Sequence, residues 1–167
     1  TLEAFQKHPC IDGIVVVCVE GWDQILGAYC RQFGITKLEN IVMGGENGQE
    51  SIRKGISDIA SRHEKEDLIL IHDAIRPMIS AEIISDCISK TMQYGNAITV
   101  IPCAEAMLQT ENGVVSDKSY PRNQLKRTQT PQGFHLGPIC ELHRKALEAG
   151  ITNSVASCTL MIEMGET

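Results

Sequence analysis

The sequence predicts an α/β fold in which a mostly parallel sheet carries helices on both faces. Short β-branched apolar runs alternate with segments of helical spacing, the pattern of strands joined by helical crossovers. Glycines stand where the helical spacing stops, as at Gly34, Gly95 and Gly150. Size agrees: 167 residues, 43% hydrophobic and 22% charged, suit a single domain with a core of its own and exclude a disordered chain.

In chain order, Gly13 to Val19 is apolar and β-branched and is expected as a buried parallel strand. Trp22 to Phe33 has helical spacing through Trp22, Ile25, Leu26 and Tyr29 and stops at Gly34. Asn40 to Met43 is a short strand running into Gly44-Gly45. Gln49 to Arg62 is a helix with Ile52, Ile56 and Ile59 on one face. Asp67 to His72 is a further buried strand. Ala81 to Tyr94 is a helix turning Ile83, Ile84, Cys87, Ile88 and Met92 inward, and Ala97 to Ile101 is a strand closed by Pro102.

The rhythm then changes. Met107 to Val115 has the pattern of a hairpin turning at Asn112-Gly113, residues that favour a type I′ turn. Ser116 to Thr130 is polar and basic, with Lys118, Arg122, Lys126 and Arg127, and has little to bury. Such a segment lies flat on its own domain or reaches onto a partner chain. Pro138 to Ala149 is a helix stopped by Gly150, and Val155 to Met164 is a last helix. The chain opens on Thr1 to His8, which has the pattern of a helix ending, and closes on Met164-Gly165. Both ends are therefore expected to be cut, within one domain spanning residues 1–167 that includes an arm at 103–130.

Several classes are excluded. The longest apolar run, Ile14 to Val19, is far shorter than the roughly 20 residues a bilayer requires. The first residues lack the basic and apolar regions of a secretory signal. The net charge of −6, from 15 basic and 21 acidic residues, argues against broad binding to nucleic acid or anionic membrane. Seven cysteines, an odd number without a C-x-x-C pair, suit free thiols in a reducing cytoplasm and neither a disulfide framework nor a zinc site.

Three clusters could carry chemistry, because ligands of open parallel sheets bind beyond the carboxyl ends of the strands. In the first, Gly44-Gly45-Glu46-Asn47-Gly48-Gln49-Glu50-Ser51, glycines at a strand end allow close backbone approach, although a tight structural turn accounts for them equally well. The second is His72-Asp73-Ala74-Ile75-Arg76-Pro77. A carboxylate at a buried strand end suits a divalent cation or a ribose hydroxyl, and Arg76 suits a phosphate. His72 fits an orienting or packing role better than that of a base. The third, Pro121 to Phe134, combines guanidinium, hydroxyl and amide groups that suit a phosphate plus a polyol.

Leu70-Ile71-His72-Asp73-Ala74-Ile75-Arg76-Pro77, followed by Pro121-Arg122-Asn123 and by Gln129-Thr130-Pro131-Gln132-Gly133-Phe134, resembles the 2-C-methyl-D-erythritol 4-phosphate cytidylyltransferase family, which includes the ribitol-5-phosphate cytidylyltransferases. The Gly44-Gly45, Ser51-Ile52 and Gly55-Ile56 pattern agrees. The resemblance implies a Rossmann-like, nucleotide-diphospho-sugar-transferase-like sheet with a protruding β-hairpin arm. It implies a reaction in which a polyol phosphate attacks the α-phosphate of CTP with Mg²⁺ present and pyrophosphate leaves. By the same resemblance Gly45 and Ser51 contact cytosine or its ribose. Asp73 holds ribose or metal, Arg76 helps bind substrate, and Arg122 and Thr130 take the acceptor's phosphate from an arm reaching into a homodimer partner.

The first expectation for the acceptor is 2-C-methyl-D-erythritol 4-phosphate, with ribitol 5-phosphate or a similar polyol phosphate as the alternative. The chain departs from the family at Gly48, Ala106 and Ala156 and in the arm, where Asp-Arg-x-x-Leu-Trp is replaced by Pro121-Arg122-Asn123-Gln124-Leu125-Lys126. The departures in the arm and at Ala106 lean toward a different polyol phosphate. Loss of the family's glycine-rich basic loop would leave the 167 residues alone a poor catalyst. A competing reading from another class is a doubly wound interaction domain that kept the fold and lost the chemistry. A phosphoacceptor receiver fits poorly, because the acidic pair at the first strand is missing.

Overall fold

Two of the six α-helices begin at a capping side chain. Asn47 Oδ1 accepts from Glu50 N at 2.9 Å, and Ser80 Oγ accepts from Ile83 N at 3.4 Å. The structure, a computed structural model, describes all 167 residues. Its helices are α1 (Leu2–Lys7), α2 (Asp23–Gln32), α3 (Gly48–Ala60), α4 (Ala81–Tyr94), α5 (Leu136–Glu148) and α6 (Ser157–Glu163). Its strands are β1 (Ile14–Cys18), β2 (Leu38–Met43), β3 (Leu68–Ile71), β4 (Asn96–Pro102), β5 (Met107–Gln109), β6 (Lys118–Tyr120) and β7 (Lys126–His135). The βαβαβαβ order expected up to Pro102 is present in full.

β1 and β2 pair in parallel. β3 and β4 also share a direction, but β7 lies between them and runs antiparallel to both. The α/β class therefore holds, with one inserted antiparallel strand. β7 shortens the arm expected at 103–130. Lys126 to Thr128 already pair with Val100 to Pro102, so the segment leaves the arm before Thr130. β1 is half-buried along its whole length rather than buried, with β2 as its one hydrogen-bonded neighbour.

The hairpin is present, but its turn is not type I′. Met107, Leu108 and Gln109 pair with Tyr120, Ser119 and Lys118, and Thr110 to Asp117 form the connection. A type I′ turn needs φ > 0 at both central residues, and only Gly113 has it, at 73°. Asn112 instead folds the loop with its side chain, Oδ1 accepting from Val114 N at 2.9 Å and Val115 N at 3.1 Å.

The core joins Ile69 of β3 and Phe134 of β7 to Ile56 of α3, Leu136, Ile139, Leu142 and Ala146 of α5, and Leu160 of α6. Two buried glutamines fasten the periphery to it. Gln49 donates from Nε2 to Ile151 O and accepts at Oε1 from Ser154 N, both at 2.7 Å. Gln132 accepts from Cys158 N at 3.2 Å, tying β7 to the start of α6. All seven cysteines are free thiols, with Cys30, Cys87 and Cys103 buried.

His143 departs most from this polar pairing, since both of its ring nitrogens are unpaired. It lies on α5 and is 3% exposed. Burial, aided by the charge of Arg53, pushes its pKa down from 6.5 to about 4. The unfolded chain binds the extra proton between those values. The stability due to neutral His143 is thus complete above pH 6.5 and declines as the pH falls toward 4. The whole decline amounts to about 3 kcal/mol. Urea unfolding at pH 7 and pH 4 should show a stability loss that His143→Leu reduces by that amount. Equal losses in both proteins would mean that His143 takes up its proton as readily in the fold as in the unfolded chain, so that burial does not hold it neutral.

Candidate active site

Two groups of residues stand at strand ends. The first is the turn from β2 into α3. Gly44 N donates to Cys18 O at 2.8 Å, Gly45 N to Ser51 Oγ at 2.9 Å, and Glu46 N to Glu50 Oε2 at 2.9 Å. Ser51 Oγ in turn donates to Asn47 O at 2.9 Å, and Lys54 Nζ to Gly44 O at 3.0 Å. The Glu46 amide, with Lys54 and Arg53 nearby, holds the Glu50 carboxyl below its ordinary value. A Cβ on Gly45 would lie 2.5 Å from the Glu50 side chain, so this position accepts only glycine without displacing Glu50.

These bonds define what the turn can offer. The N–H groups of Gly44, Gly45 and Glu46 are spent on internal partners. Gly45 O accepts no hydrogen bond within the protein and remains available as an acceptor. The Ser51 hydroxyl holds the turn in shape.

The second group forms where β3 ends beside β7. Thr130 Oγ1 accepts from Asp73 N at 3.1 Å across 57 residues of sequence. Arg76 donates from Nε to Asp73 Oδ2 at 2.9 Å and from Nη1 to Gln129 Oε1 at 2.6 Å. His72 Nε2 lies 3.0 Å from Arg76 O. A carbonyl only accepts, so Nε2 carries the proton, and Nδ1 is left buried without a partner. Burial lowers the His72 pKa, and its ring packs 5.0 Å from that of Phe5. His72 thus orients the 72–76 turn as a neutral imidazole, the role expected from the sequence.

Asp73 and Arg76 from one motif and Thr130 from another are brought into one cluster. Gly45 and Ser51 form the other. Arg122 joins neither. It sits in a 3₁₀ turn at Arg122–Gln124, exposed, and its guanidinium donates to Ala104 O at 3.1 Å. Gln129 lies in the Gln129 to Phe134 motif, but its residue type alone gives it no role. A neutral amide among Lys, Arg and Thr gives no signal until the fold sets it against Arg76.

A divalent cation would find one carboxylate here. No three His, Cys, Asp or Glu side chains are grouped so as to hold a metal ion by themselves. Asp73 Oδ2 faces Arg76, and Oδ1 has no protein partner. That donor set fits Mg²⁺, which commonly takes one or two carboxylates and completes its shell with water and substrate phosphates. No helix is long and apolar enough to cross a membrane.

Comparison with known proteins gives a consistent answer. A ribitol-5-phosphate cytidylyltransferase of Lacticaseibacillus paracasei is 35% identical, aligned over 100% of this chain and 72% of its own length. One of Vibrio parahaemolyticus is 38% identical over 99% of this chain and 69% of its own. A 2-C-methyl-D-erythritol 4-phosphate cytidylyltransferase of Clostridium botulinum is 36% identical over 87% of this chain and 62% of its own. Among solved structures, the 4-diphosphocytidyl-2C-methyl-D-erythritol synthase of Anaerococcus prevotii superposes with a TM-score of 0.87 at 20% identity. It covers 99% of this chain and 70% of that one, and it supports the fold alone. The family model described as IspD, 2-C-methyl-D-erythritol 4-phosphate cytidylyltransferase, matches residues 1–165, and the chain belongs to that family of cytidylyltransferases.

Proposed function

We propose that the protein transfers CMP from CTP to ribitol 5-phosphate and releases pyrophosphate. The observation that carries this acceptor is the pair of relatives at 35% and 38% identity, aligned over essentially the whole chain and both named ribitol-5-phosphate cytidylyltransferase. The substituted arm, Pro121 to Lys126, points the same way. The second reading takes 2-C-methyl-D-erythritol 4-phosphate as acceptor, supported by the family description and the Clostridium botulinum relative.

In this reaction an acceptor phosphate oxygen attacks the α-phosphorus, and the bond to the bridging oxygen of the leaving pyrophosphate breaks. No covalent step falls to the protein, so its residues act by alignment and charge. The free carbonyl of Gly45 suits the exocyclic amine of cytosine, and Ser51 keeps that carbonyl in place. Arg76 and the Thr130 hydroxyl grip the acceptor phosphate. Mg²⁺, when bound, would neutralise the triphosphate, with Asp73 as its protein ligand.

The arm supports a homodimer. Strands of three residues each cannot stand alone in water, and Leu108, Val114 and Val115 are 66%, 85% and 67% exposed. A twofold partner would cover these side chains and bring Arg122 to the neighbour's acceptor phosphate. Seven free thiols support a reducing, cytoplasmic setting.

Pyrophosphate release by the complete gene product, with CTP, Mg²⁺ and each polyol phosphate in turn, tests the assignment. Ribitol 5-phosphate should give a kcat/KM at least about tenfold higher, the specificity one well-placed polar contact supplies. The opposite preference would replace the acceptor, and turnover with neither would end the transferase reading. Asp73→Asn should lower kcat/KM by about 10²-fold while the melting temperature holds, since only a half-exposed charge is lost. A collapse in melting temperature would make Asp73 structural. Mixing Arg122→Ala with Asp73→Asn chains should restore part of the activity in heterodimers, and no recovery in proven heterodimers would place both residues in one chain's site.

A further inference from the structure

The Arg76 guanidinium is held at two of its three nitrogens, Nε by Asp73 and Nη1 by Gln129, and Nη2 makes no protein hydrogen bond. The two grips differ in kind. The Asp73 carboxylate is 49% exposed and the Arg76 side chain 40%, so water competes for that pair and screens it. Gln129 is half-buried within β7, and its own amide is fixed. Its Nε2 donates to Thr128 O at 2.9 Å, so Oε1 is the end turned to Arg76. Chemistry makes the assignment unambiguous, because a guanidinium only donates and a carbonyl only accepts.

Gln129 also adds no charge. A carboxylate at that position would neutralise the guanidinium together with Asp73, whereas an amide steers it and leaves its charge for an anion. The strand that carries Gln129 also presents Thr130, whose hydroxyl already meets the Asp73 amide. One stretch of β7 thus sets both the arginine and the hydroxyl that face the acceptor phosphate in the reading above.

We propose that Gln129 is a positioning residue for acceptor recognition: it locks Arg76 through Nη1 so that the Nη2 edge is presented to the substrate phosphate. This rests on the proposed cytidylyl transfer. Steady-state kinetics of the complete gene product separate the two ideas. Gln129→Met, which keeps the length and loses the acceptor atom, should raise the KM for ribitol 5-phosphate about tenfold, the worth of one charge-assisted hydrogen bond. The KM for CTP and the melting temperature should stay unchanged. In an Arg76→Ala background the same substitution should add less than about twofold, because its effect passes through Arg76. Gln129→Ala serves as the second variant if methionine distorts the strand.

If Arg76→Ala weakens acceptor use and neither Gln129 variant does, the positioning role is wrong and the site reading stands. A tenfold effect that persists without Arg76 would also overturn it, by showing a role in the strand alone. If Arg76→Ala leaves acceptor use untouched, the positioning role falls while the transferase reading stands; if neither polyol phosphate turns over, both fall together.

Discussion

Gly133 is the point at which three elements meet without space for a side chain. It pairs with Leu70 of β3 on one side and Ala97 of β4 on the other, while α4 lies across it. A Cβ there would stand 2.1 Å from Thr91 Oγ1 and 3.2 Å from Cys87 Sγ and Leu70 Cδ2. Thr91 is fully buried and donates to Cys87 O at 2.7 Å, so it cannot swing aside. Any side chain would lift α4 or push β7 out, an overpacking cost of about 1–3 kcal/mol. The position of β7 thus depends on this contact. With β7 seated, Thr130 and Gln129 come to lie beside the 72–76 turn, and Phe134 and Leu136 enter the core with α5 and α6.

This dependence explains what the sequence revealed and what it did not. β2 to β4 and α2 to α4 are local objects: each has its own apolar period, and most have a glycine or capping side chain at an end. β7 has none of these. Its first half is Lys126-Arg127-Thr128-Gln129, its middle is Pro131, and a proline normally argues against an inner strand. The ladder accommodates it through a register shift between Ile98 and Val100, and the Pro131 carbonyl is taken by Thr99 Oγ1 at 2.7 Å. Strand identity here comes from two neighbours far away in sequence, which no local window contains. The same holds for the site. Asp73, Arg76 and Thr130 were legible as residue types at motif positions, but their meeting is a property of β7.

The polar groups around the site sort by burial. Gln49 and Gln132 are buried and bonded at both ends of the amide, so they fix geometry without charge. Asp73 and Arg76 are exposed, and a solvated pair of that kind contributes about 0–1 kcal/mol to stability. Their geometry therefore has little structural reason to exist, which is the pattern of groups kept for a ligand. His72 is held neutral by burial and adds no charge beside them. The cluster so presents one carboxylate and one guanidinium to solvent over a rigid, uncharged floor.

The two strand-end groups then differ in the kind of ligand atom each can meet. At the β2–α3 turn the N–H groups of Gly44, Gly45 and Glu46 all have internal partners, and the Gly45 carbonyl has none. The unpartnered Gly45 carbonyl suits an amine donor. At the end of β3 the free groups are a guanidinium edge and a hydroxyl, which suit an anion. A glycine-rich turn before a helix would ordinarily suggest phosphate binding. Here the Ser51 hydroxyl and the Glu50 carboxylate, both within the first turn of α3, take the amides of Gly45 and Glu46. The polarity of the pair matches a substrate set with an amino-bearing base at one end and a phosphate-bearing alcohol at the other.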